Sequence, residues 1–198
     1  MIAIIDYKGG NIASVKNALD RLGASFLVTS KPSEILAADG VIFPGQGRAG
    51  SALEELKRTG VDRALPRISK PFLGICLGMQ LLADFSDEDK TPCLGIIGGR
   101  CRRFPAIVKS PHLGWNKVQI EEASSLTKGI KSGEYFYFVH SYYFDAVPQS
   151  VTGTTNYGFS FPSIVQQDNF FAVQFHPEKS GAAGDRLLRN FCEVSKCL

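Results

Sequence analysis

The stretch FLGICLGMQLL, residues 72–82, decides how the rest of the chain is read. It opens on residues suited to a buried strand, passes through Gly74-Ile75-Cys76-Leu77-Gly78, and runs straight into residues that favour a helix. A lone thiol between two glycines, where a strand turns into a helix, has two readings. The plain one is a buried cysteine in a tight turn, since free cysteine behaves as a small hydrophobe. The sharper one is a nucleophile. A helix N-terminus favours an anion and lowers a thiol pKa from its reference of about 8.5. The N–H of Leu77 would point at an oxyanion formed on an attacked carbonyl.

Glycines at 74 and 78 relieve crowding in such a turn, much as in the G-x-S-x-G elbow of hydrolases, with cysteine in place of serine. Working outward, strand-like runs at 2–6, 25–29, 40–43 and 72–75 alternate with helical stretches. The first helix begins at Asn11, a good N-cap, and carries Ile12, Val15, Ala18, Leu19 and Leu22 on one face before Gly23. A short capped helix is expected in SKPSEIL, with others around 51–59 and over 77–85. This order predicts βαβ units and a central, mostly parallel sheet flanked by helices. Beyond Pro92 the character changes to short β-rich runs such as NKVQI, YFYFVHSYYF, SIVQQ and FFAVQF, expected to pair antiparallel. A closing helix is expected over 180–194. The change near Pro92 reads as a change of topology within one domain spanning 1–198.

Composition narrows the partners. The chain has 198 residues, 44% hydrophobic and 21% charged, an ordinary globular balance. A net charge of +3 with scattered basic residues gives no case for nucleic acid. No apolar run approaches the roughly 20 residues of a membrane span. The start, MIAIIDYKGG, lacks the basic region of a signal peptide, so a cytoplasmic location is expected. The five cysteines are odd in number and form no C-x-x-C pair, which argues against a disulfide framework and a zinc site.

A nucleophilic Cys76 needs a base, and the base an orienter. Of the three histidines, His176 in FFAVQFHPEKS is the best placed, because it closes an apolar run and should lie at a strand's carboxyl end. Open α/β sheets bind ligands along that edge. Glu178, two residues on, can bend back to accept a hydrogen bond from the imidazole. PGQG, residues 44–47, comes after a third strand, and its glycines let the backbone approach a ligand closely and present N–H groups. Each feature alone is commonplace; three at strand ends of one α/β domain are not. His112 and His140 read as structural.

Together GICLGMQ, PGQG and HPEKS resemble the triad-type, class I glutamine amidotransferases over nearly the whole chain. The resemblance implies that Cys76 attacks the side-chain amide of L-glutamine to form a glutamyl thioester and release ammonia. It implies that His176 serves as base and acid and that Glu178 orients it. Leu77 and the loop Gly45, Gln46, Gly47 would form the oxyanion hole. Gln80, Ser141 and Tyr142 would contact substrate. No cofactor or metal is implied. DYKGGNIASVKNAL, PHLGWN and YFYFVHSYYF resemble one branch, the glutaminase subunits of imidazole glycerol phosphate synthase in histidine biosynthesis. That branch implies a heterodimer with a (β/α)₈-barrel cyclase, ammonia passing to a phosphoribosyl-formimino nucleotide, and imidazole glycerol phosphate and AICAR as products. Its interface positions map onto Asn11, Trp115, Tyr137 and Lys179. Gln46 departs from the small or β-branched residue usual in PGxG, and YKGGN varies the glycine spacing near the start.

Other readings share the motifs: a glutaminase subunit for amino-sugar or surface-polysaccharide amidation or pyridoxal phosphate synthesis, a non-catalytic interaction module, or a cysteine peptidase. An intact Cys76, His176 and Glu178 speaks against the module. Gln80 and the HPE order fit glutamine better than peptide.

Overall fold

Short apolar runs rich in β-branched residues favour strands, and at the centre of the molecule they are buried on both faces. The computed structural model describes residues 1–9 and 11–198; Gly10, in the YKGGN variation, lies outside the described residues. The strands are β1 (Ile2–Ile5), β2 (Phe26–Thr29), β3 (Gly40–Phe43), β4 (Phe72–Ile75), β5 (Phe85–Ser86), β6 (Thr91–Pro92), β7 (Gly99–Arg103), β8 (His112–Ile120), β9 (Glu134–His140), β10 (Tyr142–Ala146), β11 (Val151–Asn156), β12 (Ser160–Gln167) and β13 (Phe170–Val173). The helices are α1 (Ile12–Leu22), α2 (Pro32–Ala37), α3 (Ala49–Thr59), α4 (Val61–Ala64), α5 (Leu77–Gln80) and α6 (Gly181–Val194).

Nine strands form one sheet in the order β2-β1-β3-β4-β13-β12-β11-β8-β9. The first five run parallel, and the rest pair antiparallel. A second, four-stranded sheet has the order β10-β7-β5-β6. This is the expected class: a parallel centre flanked by helices, with antiparallel strands added from the second half. One face of the large sheet packs on α1 and α6 through Val15, Leu19, Leu187, Leu188 and Phe191. The other packs on α3 and the small sheet through Leu53, Leu56, Cys101 and Phe144. Asn11 caps α1, its side chain accepting the Ser14 N–H, and Gly23 ends the helix in the left-handed conformation that glycine adopts without strain.

Three local expectations are corrected. The helix expected over 77–85 stops at Gln80. Its next bonds tighten to the three-residue spacing, Leu82 N–H to Met79 C=O and Ala83 N–H to Gln80 C=O, while residues 94–97 return and donate to the carbonyls of Leu81, Leu82 and Ala83. The aromatic run YFYFVHSYYF is two strands in two different sheets, broken at Ser141. In SKPSEIL, α2 starts with Pro32 at its first position and has no side-chain cap.

Candidate active site

Because β3, β4 and β13 are adjacent and parallel, the segments that leave them emerge on one edge: Gly45–Gly47, Cys76 and His176. Cys76 donates its backbone N–H to Val173 C=O at 2.8 Å, which fixes it beside the end of β13. It has φ 50 and ψ −104, a conformation rare for a non-glycine residue and worth about 1–3 kcal/mol of strain. The elbow holds because its neighbours lack side chains. A Cβ on Gly78 would meet Phe43 O at 2.2 Å, and one on Gly45 would meet Leu77 N at 2.3 Å. The glycine loop therefore lies directly against the first turn of α5, whose leading N–H groups have no acceptor within the helix.

His176 is buried, and its Nδ1 donates to Glu178 Oε1 at 2.8 Å. Its Nε2 has no aligned hydrogen-bond partner among the described residues. Burial opposes a charge on this imidazole, but Cys76 beside it, and then Glu178, outweigh it and push the pKa up to about 10. No well-formed hydrogen bond joins this ring to the sulfur in the resting arrangement. Such looseness is common at nucleophile–base pairs without substrate. Ser180 locks the turn by donating its Oγ to His176 C=O at 2.6 Å and accepting the Tyr137 N–H at 3.0 Å. His176 N–H in turn reaches Tyr137 C=O at 2.9 Å.

A cavity of about 360 Å³ opens over the thiol. Gly45, Gln46, Gly47, Cys76, Leu77, Gln80, Ser141 and Tyr142 all line it, together with Glu88, Pro111, Val139 and His140. The Gln46 N–H does not face the sulfur: it is donated to the Tyr7 hydroxyl at 3.0 Å. The Gln80 side-chain nitrogen is also committed, to Tyr142 C=O at 2.8 Å and Gln174 Oε1 at 3.1 Å.

Two residues of this site escaped the sequence reading. Gln174, fully buried, donates its Nε2 to the Cys76 sulfur at 3.6 Å. It sits two residues before His176, just past the end of β13, and no motif marks it. Glu88 is the only charged side chain lining the cavity among the described residues. It opens the short turn 88–90, outside the motifs, and nothing in the sequence marks it. Trp115 is 55% exposed, and its ring lies 6.0 Å from that of Tyr137, its cross-strand partner. The 177–179 turn carrying Lys179 touches both α1, which Asn11 caps, and β9.

The fold and the motifs at this strand edge meet in one class. The profile of the "Glutamine amidotransferase class-I" family matches residues 3–194, and the chain belongs to that family. Within it, the chain is 48% identical to imidazole glycerol phosphate synthase subunit HisH of Nitratidesulfovibrio vulgaris (strain DSM 19637 / Miyazaki F), over 99% of this chain and 98% of that protein. It is also 48% identical to the subunit HisH of Moorella thermoacetica, over 98% and 94% of the two chains. A solved structure described as a glutamine amidotransferase superposes with a TM-score of 0.77 at 21% identity, over 99% of this chain and 100% of that one. The glutaminase domain of Trypanosoma brucei CTPS gives a TM-score of 0.70 at 18% identity, over 98% and 93%. Among the described residues, no helix is long and apolar enough to cross a membrane.

Proposed function

We propose that the chain is the glutaminase subunit of an imidazole glycerol phosphate synthase, hydrolysing L-glutamine through Cys76, His176 and Glu178. The observation that carries it is the meeting of the strained thiol and the glycine loop on one cavity, with the Glu178-bound imidazole beside the thiol, in a chain close to HisH subunits. The Cys76 thiolate attacks the side-chain carbonyl carbon of glutamine. The Leu77 N–H and amides of the Gly45–Gly47 loop stabilise the oxyanion. His176 imidazolium gives its proton to the leaving nitrogen, so ammonia departs and a glutamyl thioester remains. The now neutral His176 takes a proton from water, which attacks the thioester, releasing glutamate and restoring the thiolate–imidazolium pair. Glu178 keeps the ring aligned throughout. Glu88 meets the substrate's α-ammonium group, the positive charge that a lone carboxylate in the cavity suits.

The partner is a (β/α)₈ cyclase subunit that uses the ammonia. Leu113 and Trp115 on β8 and Tyr135 on β9 are exposed, and Trp115 pairs with Tyr137 on β9, whose last two residues, Val139 and His140, line the cavity. An exposed aromatic group beside the site fits an interface that must keep ammonia from water. The test is glutamine hydrolysis with and without such a cyclase and its nucleotide ligand, alongside rescue of a histidine auxotroph lacking its own glutaminase subunit. Higher activity with the cyclase together with rescue supports the reading; glutaminase activity without rescue would assign the chain to another synthase.

A further inference from the structure

The two histidines that the mechanism leaves unused are joined to the nucleophile by an unbroken run of hydrogen bonds. Asn116 Nδ2 lies 3.2 Å from His112 Nε2; His112 Nδ1 lies 3.1 Å from His140 Nε2; His140 Nδ1 lies 2.7 Å from Tyr142 C=O. That carbonyl also accepts Gln80 Nε2 at 2.8 Å, which is shared with Gln174 Oε1 at 3.1 Å. Gln174 Nε2 then donates to Cys76 Sγ at 3.6 Å.

The donors and acceptors permit one assignment. A carbonyl oxygen only accepts, so His140 must carry its proton on Nδ1. Burial holds both imidazoles neutral, pushing the pKa down to about 4 for His112 and about 3 for His140. A neutral His140 must then accept at Nε2, so His112 donates from Nδ1 and accepts from Asn116 at Nε2. On the other branch, the same carbonyl forces Gln80 to present nitrogen, and that nitrogen forces Gln174 to turn its oxygen toward Gln80. Only the NH₂ of Gln174 is left to face sulfur. A flipped Gln174 would set nitrogen against nitrogen and oxygen against the thiolate.

We infer that the His112–His140 pair is a positioning element for the nucleophile, which sets the Tyr142 carbonyl and, through Gln80, holds Gln174 as an N–H donor to the Cys76 sulfur. A donor there stabilises the thiolate and leaves the His176 side of the sulfur for proton exchange. The inference rests on the proposed role of Cys76 and adds a second support to it, alongside the strained elbow. The titratable groups facing this centre are His176 and its partner Glu178 from the turn after β13, Tyr7 after β1, His140 from β9, and Glu88 across the cavity.

The test is the pH profile of Cys76 alkylation by iodoacetamide, read by mass spectrometry on the Cys76 peptide, for the intact chain and three variants. Gln174→Met removes the donor to sulfur. His140→Phe removes the donor to Tyr142. His140→Asn keeps an N–H where Nδ1 lies. Gln174→Met and His140→Phe should each raise the alkylation midpoint by about one pH unit and lower kcat about tenfold with KM changed less than about twofold. His140→Asn should stay close to wild type. A wild-type midpoint in either Gln174→Met or His140→Phe would overturn the inference; should His140→Phe not fold, His112→Phe, which removes the partner of His140 Nε2, takes its place under the same criterion. Alkylation needs no glutamine turnover, so shifted midpoints in a chain that no cyclase activates would keep this inference and sink the proposed function.

Discussion

The Tyr7 hydroxyl closes two hydrogen bonds on one residue of the glycine loop: it donates to Gln46 C=O at 2.8 Å and accepts the Gln46 N–H at 3.0 Å. The ring is buried and packs edge-on against Phe43, the last residue of β3, with centroids 5.2 Å apart. An amide held by Tyr7 is unavailable to an oxyanion, so the loop rests with one donor turned away. Tyr7→Phe keeps the packing and removes both bonds. Its glutamine hydrolysis without partner should rise about fivefold, the factor that about 1 kcal/mol supplies. A steady-state assay on the isolated chain checks this, and an unchanged rate would mean the two bonds do not restrain the loop.

Gly45→Ala should fail in both stability and turnover. Its new methyl would meet Ile75 O at 2.0 Å and Leu77 N at 2.3 Å, both backbone atoms that cannot swing aside. Relieving that overlap costs about 1–3 kcal/mol and pushes the loop off the elbow. Thermal melts of Gly45→Ala beside Gly47→Ala, whose methyl would meet nothing closer than Leu77 Cδ2 at 3.9 Å, separate overlap from backbone strain.

Trp115→Ala separates folding from docking. With the side chain 55% exposed, its removal should change stability by less than about 0.5 kcal/mol. Binding to the cyclase should weaken by about 2 kcal/mol or more, measurable by calorimetry. A large drop in melting temperature would place Trp115 in the fold rather than the interface.

Stability should fall on both sides of neutral pH. His112 and His140 have depressed folded pKa values, about 4 and about 3 against 6.5 unfolded. The unfolded chain therefore binds more protons between these values, and stability present above pH 6.5 is lost as the pH drops through that window. His176 has the opposite sign. Raised to about 10 from 6.5, it contributes stability fully present below 6.5 and lost as the pH rises toward 10. Urea midpoints against pH should therefore flatten on the acid side in His112→Phe and on the alkaline side in His176→Ala.

Much of the site was legible because its chemistry sits where apolar runs stop. Phe43, Ile75 and Val173 each end a strand, and just beyond them lie a glycine-rich loop, a thiol and a histidine in turn. Parallel order then puts all three at one edge without further information. The illegible part depends on pairing across distance. Tyr7 meets Gln46 across 39 residues, and Gln80 meets Gln174 across 94. Nothing local announces such contacts. The 77–85 helix was overextended for the same reason: its propensity is sound, but residues 94–97 capture the carbonyls that would continue it. Ser141 separates two sheets without a glycine or proline to mark the break.

The most direct measurement is covalent labelling with 6-diazo-5-oxonorleucine, an electrophile shaped like glutamine, followed by peptide mass spectrometry. One adduct is expected, on Cys76, formed about a hundredfold more slowly in His176→Ala. Labelling on Cys93, Cys101, Cys192 or Cys197 instead, or an unmodified chain, would contradict a Cys76 nucleophile.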